Sequence, residues 1–303
     1  MRGWLVAVGL LAAVPQVAAV EPLCRLDDRA SCGSSSFAAG EMVRFTVRWG
    51  LMPVGEGTAR LRLAAAPSVA LPALVDPWSH PRWFVEGRGV SVRLAAKIVP
   101  VDDRLRSWVH PRSFAPHHRE LDIDHRREIV QRRETFDPEA GVVWFWRNRE
   151  RYDRRRDKEG LTIRSPPLFW SAHDPVSLFL HLRCRGAGVG ESFELVVHEY
   201  GKDLRVLVHV DRVEPLETIF GTTMALRASV RAFFLDEEKT RRPFRFWVSR
   251  DRHRIPLRFE LDLPFADLHG QLAGYRRHET AAIVGALDPS FLDPAPSSER
   301  DLE

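Results

Sequence analysis

Apolar and polar residues alternate through most of this chain. Val43, Phe45, Val47 and Trp49 stand against Met42, Arg44, Thr46 and Arg48, and Ala59, Leu61 and Leu63 against Thr58, Arg60 and Arg62. The same period of two runs through Leu204 to Asp211, Thr223 to Phe234, Phe244 to Val248 and Ile255 to Leu263. Successive side chains on a strand point to opposite faces, so this rhythm predicts strands with one buried and one wet face, as in antiparallel sheets. Turn chemistry agrees. Trp49 to Gly55 carries two glycines for a tight connection, Phe220-Gly221-Thr222 marks a reversal, and Ser249 to His253 is a polar turn. Pro256 has no N–H to give a ladder, so its strand is an edge or carries a bulge.

Two helices interrupt the rhythm. Asp174-Pro175 followed by Val176, Phe179, Leu180 and Arg183 reads as an N-cap, a proline at the first helical position and an apolar face, with Gly186 as the stop. A weaker pattern runs from Ser91 to Val99, with Leu94, Ala95 and Ile98 on one side. The predicted fold is mainly β: over residues 37–277, a large curved antiparallel sheet, open or a partial barrel, with one or two short α-helices packed on its concave side. The proline-rich stretch 64–82 reads as an inserted loop, 20–36 as a polar lead segment and 278–303 as a disordered tail.

Composition places the chain more than it names a chemistry. With 303 residues, 44% of them hydrophobic, it can build a core without staples. Residues 1–19 read as a signal peptide: Arg2, an apolar run from Trp4 to Val14, then Pro15 and the small residues Val17-Ala18-Ala19. That run is about half of the roughly 20 residues that span a bilayer; an uncleaved anchor is the alternative. The expected location is outside the cytoplasm, in the periplasm. There, Cys24 and Cys32 can close a small disulfide loop and leave Cys184 over, with free thiols as the alternative. A net charge of +4 on an exported chain makes nucleic acid a poor partner.

The residues also carry a family likeness. Phe37 to Leu63, with Gly40-Glu41 leading a strand into Trp49-Gly50 and Val54-Gly55, resembles the opening of the exported bacterial "domain of unknown function 3108" family. The likeness continues through Asp102 to Pro111, His173-Asp174-Pro175-Val176-Ser177 with Leu182-Arg183, and Phe220-Gly221-Thr222. It ends with Phe246-Trp247-Val248-Ser249 running into Arg254-Ile255-Pro256. The proline-rich insertion and the tail depart from the pattern. The resemblance implies an exported, β-rich domain and carries over no catalytic residue. The architecture is also similar to the curved sheet of Lol-type lipoprotein carriers, although a shared fold does not establish a shared function.

No nucleophile elbow, P-loop, dinucleotide turn or zinc helix occurs, and no metal or cofactor is expected. His118, Glu120, Asp122 and Asp124 fall on one face of a strand, either as an acid/base or cation site or as a solvated face salted by Arg119, Arg126 and Arg127. Together with His173, the first three would be the centre of an envelope hydrolase. The hairpin 144–158 puts an aromatic strand before a basic turn, either fit for anionic lipid, polysaccharide or a protein partner or, with Glu150, Asp153 and Asp157 interleaved, an ordinary solvated tip. Finally, a one-sided apolar sheet must curl or be covered, and curling leaves a filled core or a greasy cavity. The favoured expectation is a non-catalytic envelope protein that binds or carries an apolar or amphipathic molecule, such as lipid, and meets a membrane surface. Trp144, Trp146, Phe179 and Trp247 are its candidate ligand-binding residues.

Overall fold

The computed structural model describes residues 36–65, 82–111, 113–126, 128–137, 142–151, 154–164, 173–199, 202–234, 237–238, 244–263, 266–278 and 284–285. The proposed signal peptide and nearly all of the proline-rich insertion lie outside them. The elements are β1 (Met42–Trp49), β2 (Met52–Ala64), β3 (Arg82–Ser91), α1 (Arg93–Ile98), β4 (Val101–Val109), β5 (Pro116–His125), β6 (Glu128–Asp137), β7 (Val142–Arg151) and β8 (Arg154–Arg164). They continue with α2 (Pro175–Arg185), β9 (Ser192–Glu199), β10 (Lys202–Thr218), β11 (Gly221–Phe234), β12 (Glu237–Glu238), β13 (Phe244–Ser249), β14 (Pro256–Leu263), β15 (Ala266–Arg276) and β16 (Val284–Gly285).

Among the described residues all strands join one 16-stranded sheet in the order β8-β7-β6-β5-β4-β3-β2-β1-β15-β14-β13-β11-β10-β9, with β12 and β16 as short side pairings. Every strand-to-strand pairing is antiparallel. The fold class is therefore the one the alternation predicts. β1 and β2 are joined by Gly50 and Leu51 alone, with Trp49 opposite Met52 and Gly50 at φ +57°. Gly221, at φ +82°, turns β10 into β11. Pro256 opens β14 where the β13–β14 register shifts between Trp247 and Val248; β14 is paired on both sides, so the answer is a bulge and not an edge.

The inner wall of β9 to β13 is apolar: Phe193, Leu195, Val197, Val206, Val208, Leu226, Ala228, Phe246 and Val248 form one buried cluster. Further round, the Phe259 ring packs against Gly270, where a Cβ would sit 2.0 Å from a ring carbon. α2 lies inside the curl and touches both halves. Leu178, Phe179 and Leu182 pack on the β9–β13 wall, while Leu180 and Cys184 pack with Phe37, Leu61, Val109 and Phe114. The local signals at its ends hold: Asp174 accepts from the Ser177 N–H, the Ser177 hydroxyl answers the Asp174 N–H, and Gly186 closes the helix at φ +69°.

Two expectations need correcting. The helix between Ser91 and Val99 spans only Arg93–Ile98, has no side-chain cap, and turns Leu94 and Ile98 outward, so that only Ala95 of the expected face packs inward. Of the tail beyond His278, only Val284–Gly285 lies among the described residues. β14 pairs only with residues 266–271 of β15, so the backbone at Gly274 and Tyr275 is open on that side, and Val284–Gly285 pairs with it as β16. Cys184 is not a spare thiol; it is disulfide-bonded. The only other cysteines, Cys24 and Cys32, lie outside the described residues, and a bond from Cys184 to either excludes the expected Cys24–Cys32 loop.

Candidate functional site

On β4 to β7 the inner face changes character. Ser107, Arg119, Glu134 and Phe145 are successive register partners across these strands, so all four point the same way. Arg119 and Glu134 are buried, and Glu199 at the end of β9 comes across the curl to join them. Arg119 donates to Glu199 at 2.5 Å and lies 2.7 Å from Glu134. Ser107 donates to Asp174 at 2.5 Å, which ties the cap of α2 to the same wall. Beside this, the Phe136 ring meets the His198 ring edge-on at 5.8 Å. β9 is thus held to β5 and β6 by side chains, while its free backbone edge is covered by His173, which donates to Val196 and accepts from His198.

The electrostatics of this seam are those of a latch. Burial opposes the Arg119 charge, but Glu134, Glu199 and Asp174 outweigh it and keep the guanidinium protonated more firmly than usual. Burial pushes Glu199 up, against the pull of Arg119. Two carboxylates on one enclosed guanidinium leave no face open to a substrate. On the far side of the helix, Arg183 makes a second latch: it pairs with Glu41 at 2.8 Å and donates to the Ser36 and His253 carbonyls at 2.9 Å each.

The residues singled out in the sequence do not gather at one place. His118, Glu120 and Asp122 lie on the outer face of β5, while Arg119, Leu121 and Ile123 face in. Arg119 is therefore no surface partner for them; Glu120 pairs with Arg106 at 2.7 Å and Asp122 with Arg133 at 2.8 Å. A hydrogen bond from His118, with Arg133 and Arg106 beside it, lowers the Glu120 carboxyl to about 2, so it is a fixed anion and not a proton carrier. His173 lies across the sheet at the start of α2. Burial and nearby His181 lower it to about 3 and keep it neutral. Among the described residues no group of three His, Cys, Asp or Glu is placed to hold a metal ion.

The four candidate ligand residues are also dispersed. Trp144, opposite Thr135, and Trp146, opposite Arg133, are on the outer face of β7. Phe179 packs on Phe246, and Trp247, the next residue of that strand, is buried with its indole N–H donated to Glu214 at 2.6 Å. Side chains at the tip of the 144–158 hairpin lie outside the described residues. Beneath α2 the walls leave a hollow of about 30 Å³, lined by Leu182, Phe193, Val208, Leu226 and Phe246 with Arg183 and Arg254 beside them. That is space for a water or two, against the roughly 300–1,000 Å³ of a ligand pocket.

Solved structures share the outline at low similarity. A β-barrel-like protein of domain family DUF1849 from Brucella abortus is 10% identical, with a TM-score of 0.47 over 80% of this chain and 100% of that one. A candidate lipoprotein from Parabacteroides distasonis is 8% identical, with a TM-score of 0.31 over 80% of this chain and 97% of that one. No curated protein matches the chain. A family model does: "Protein of unknown function (DUF3108)" matches residues 44–272, from the first strand to the last long one, and the chain belongs to that family.

Proposed function

We propose that this chain is an exported, non-catalytic protein of the bacterial cell envelope that binds an amphipathic envelope molecule at its surface and does not carry one inside. The observation that carries this reading is how the described residues occupy the inside of the curl: α2 and two buried latches lie there, and the hollow beneath the helix is about 30 Å³, while Trp49, Leu51, Met52, Leu94 and Ile98 stay exposed. Export is supported by the pattern of residues 1–19 and by the Cys184 disulfide, a bond that persists in oxidising compartments. The non-catalytic part is supported by the separation of His118, Glu120 and Asp122 from His173 and by the fixed charge states of Glu120 and His173.

Flotation of the purified chain with vesicles of total envelope lipid tests this. The expected result is co-flotation, with native mass spectrometry of the gently extracted protein giving the mass of the bare chain. A stoichiometric apolar molecule retained in that spectrum would restore the carrier reading. Ester or glycan hydrolysis lost in Glu120→Gln would replace the proposal with an enzyme.

A further inference from the structure

Antiparallel pairing brings the connections β1–β2, β3–β4, β5–β6 and β14–β15 to one end of the sheet. Three bonds show that they are neighbours there: the Gly50 N–H donates to Asp267, the Val92 N–H to Val54, and Arg126 to the Ile98 carbonyl. This end is built the wrong way round for water. Leu51, the second residue of a two-residue turn, is 94% exposed at a position where Gly, Asn or Asp would serve solvent better. Trp49 and Met52, paired across that turn, are exposed with it. α1 half-buries its small residues Ala95 and Ala96, with Ala95 beside Val47, Val54 and Leu268, and holds Leu94 and Ile98 outward at 59% exposure each. A six-residue helix that served only the core would face the other way.

Charge narrows the occupant. Arg48, Arg93, Lys97 and Arg126 are exposed on the same connections, against Asp124 and Asp267. Apolar side chains ringed by an excess of Lys and Arg match the boundary between acyl chains and acidic headgroups, where the greasy residues sink and the cations meet phosphate. We propose that this end of the sheet docks on an anionic phospholipid surface, with Trp49, Leu51, Met52, Leu94 and Ile98 inserted and Arg48, Arg93, Lys97 and Arg126 on the headgroups. The proposal rests on the surface-binding reading above and gives it a place and a lipid class.

The test is flotation of the full chain with phosphatidylglycerol-containing vesicles, with phosphatidylcholine vesicles, and with both at high salt. Binding is expected on the anionic vesicles, weakened by salt and about tenfold or more weaker on the neutral ones. The triple variant Leu51→Ser/Leu94→Ser/Ile98→Ser should bind at least tenfold more weakly, and so should Arg93→Glu/Lys97→Glu, each with an unchanged Tm because the altered side chains are exposed. Met224→Ser, at the exposed β10–β11 turn on the opposite end, should bind like the parent. Parental binding by both altered-end variants, or equal loss in Met224→Ser, overturns the docking end and leaves surface binding standing. No binding to these vesicles, with co-flotation on total envelope lipid, overturns the anionic-phospholipid docking and leaves surface binding standing; no binding to either overturns both readings.

Discussion

Ionised side chains are costly to bury, and Arg119, Glu134 and Glu199 are all buried. Their mutual pairing offsets that cost only while all three are present. Arg119→Met should therefore destabilise the fold by about 3–5 kcal/mol in urea unfolding, because two carboxylates are left enclosed without their partner. Arg119→Met/Glu134→Leu/Glu199→Leu should recover most of the loss, since no uncompensated charge remains; failure to recover would mean that the seam acts by shape and not by charge. This trio was not legible in the sequence. Arg119 and Glu199 are 80 residues apart, and along β5 an inward arginine between Glu120 and His118 reads like one more member of a wet face. Alternation tells which residues share a face but not which face is inside, and β4 to β7 carry charge on both.

Elements were legible where their signals are local. α2 is written in Asp174, Pro175, Ser177 and Gly186 within a dozen residues, and each does the job its type implies. The segments behind the family likeness also meet around this helix: Glu41 takes Arg183, and Gly40, at φ +86°, gives its N–H to Leu61. The predicted face of α1, Leu94, Ala95 and Ile98, is split: only Ala95 packs inward, and Leu94 and Ile98 face out. The start of α2 also carries a pH dependence. The unfolded chain takes up a proton on His173 near 6.5, whereas the buried ring, held to about 3, refuses it. Its contribution is intact above pH 6.5 and shrinks as pH falls, by about 2 kcal/mol between pH 6.5 and 5. Glu199, raised by burial, works in the opposite sense above the ordinary glutamate range. Thermal melts should show the loss in the parent and a flatter profile in His173→Gln, whatever that variant's stability at pH 7.

At the scale of the molecule, the chain leaves its first strand and comes back to it: β1 pairs with β15, with Met42 opposite Arg276. No period in the sequence announces that pairing, nor the curl that brings Glu199 to Arg119. The cysteines show the same limit. Spacing along the chain favours joining Cys24 to Cys32, because short loops close easily, yet the bond that forms engages Cys184 on the central helix. A cross-link that ties α2 to a far part of the chain removes more freedom from the unfolded state than an eight-residue loop does, so it belongs among the forces that keep the interior filled. Cys184→Ala should lower stability by about 2–4 kcal/mol under oxidising conditions, and reductant should lower the parent by the same amount while leaving the variant unmoved. Thiol titration of the denatured, unreduced chain should find one free cysteine of three. Three free thiols, or a variant as stable as the parent, would mean that helix and walls stay closed by packing and the two arginine latches alone.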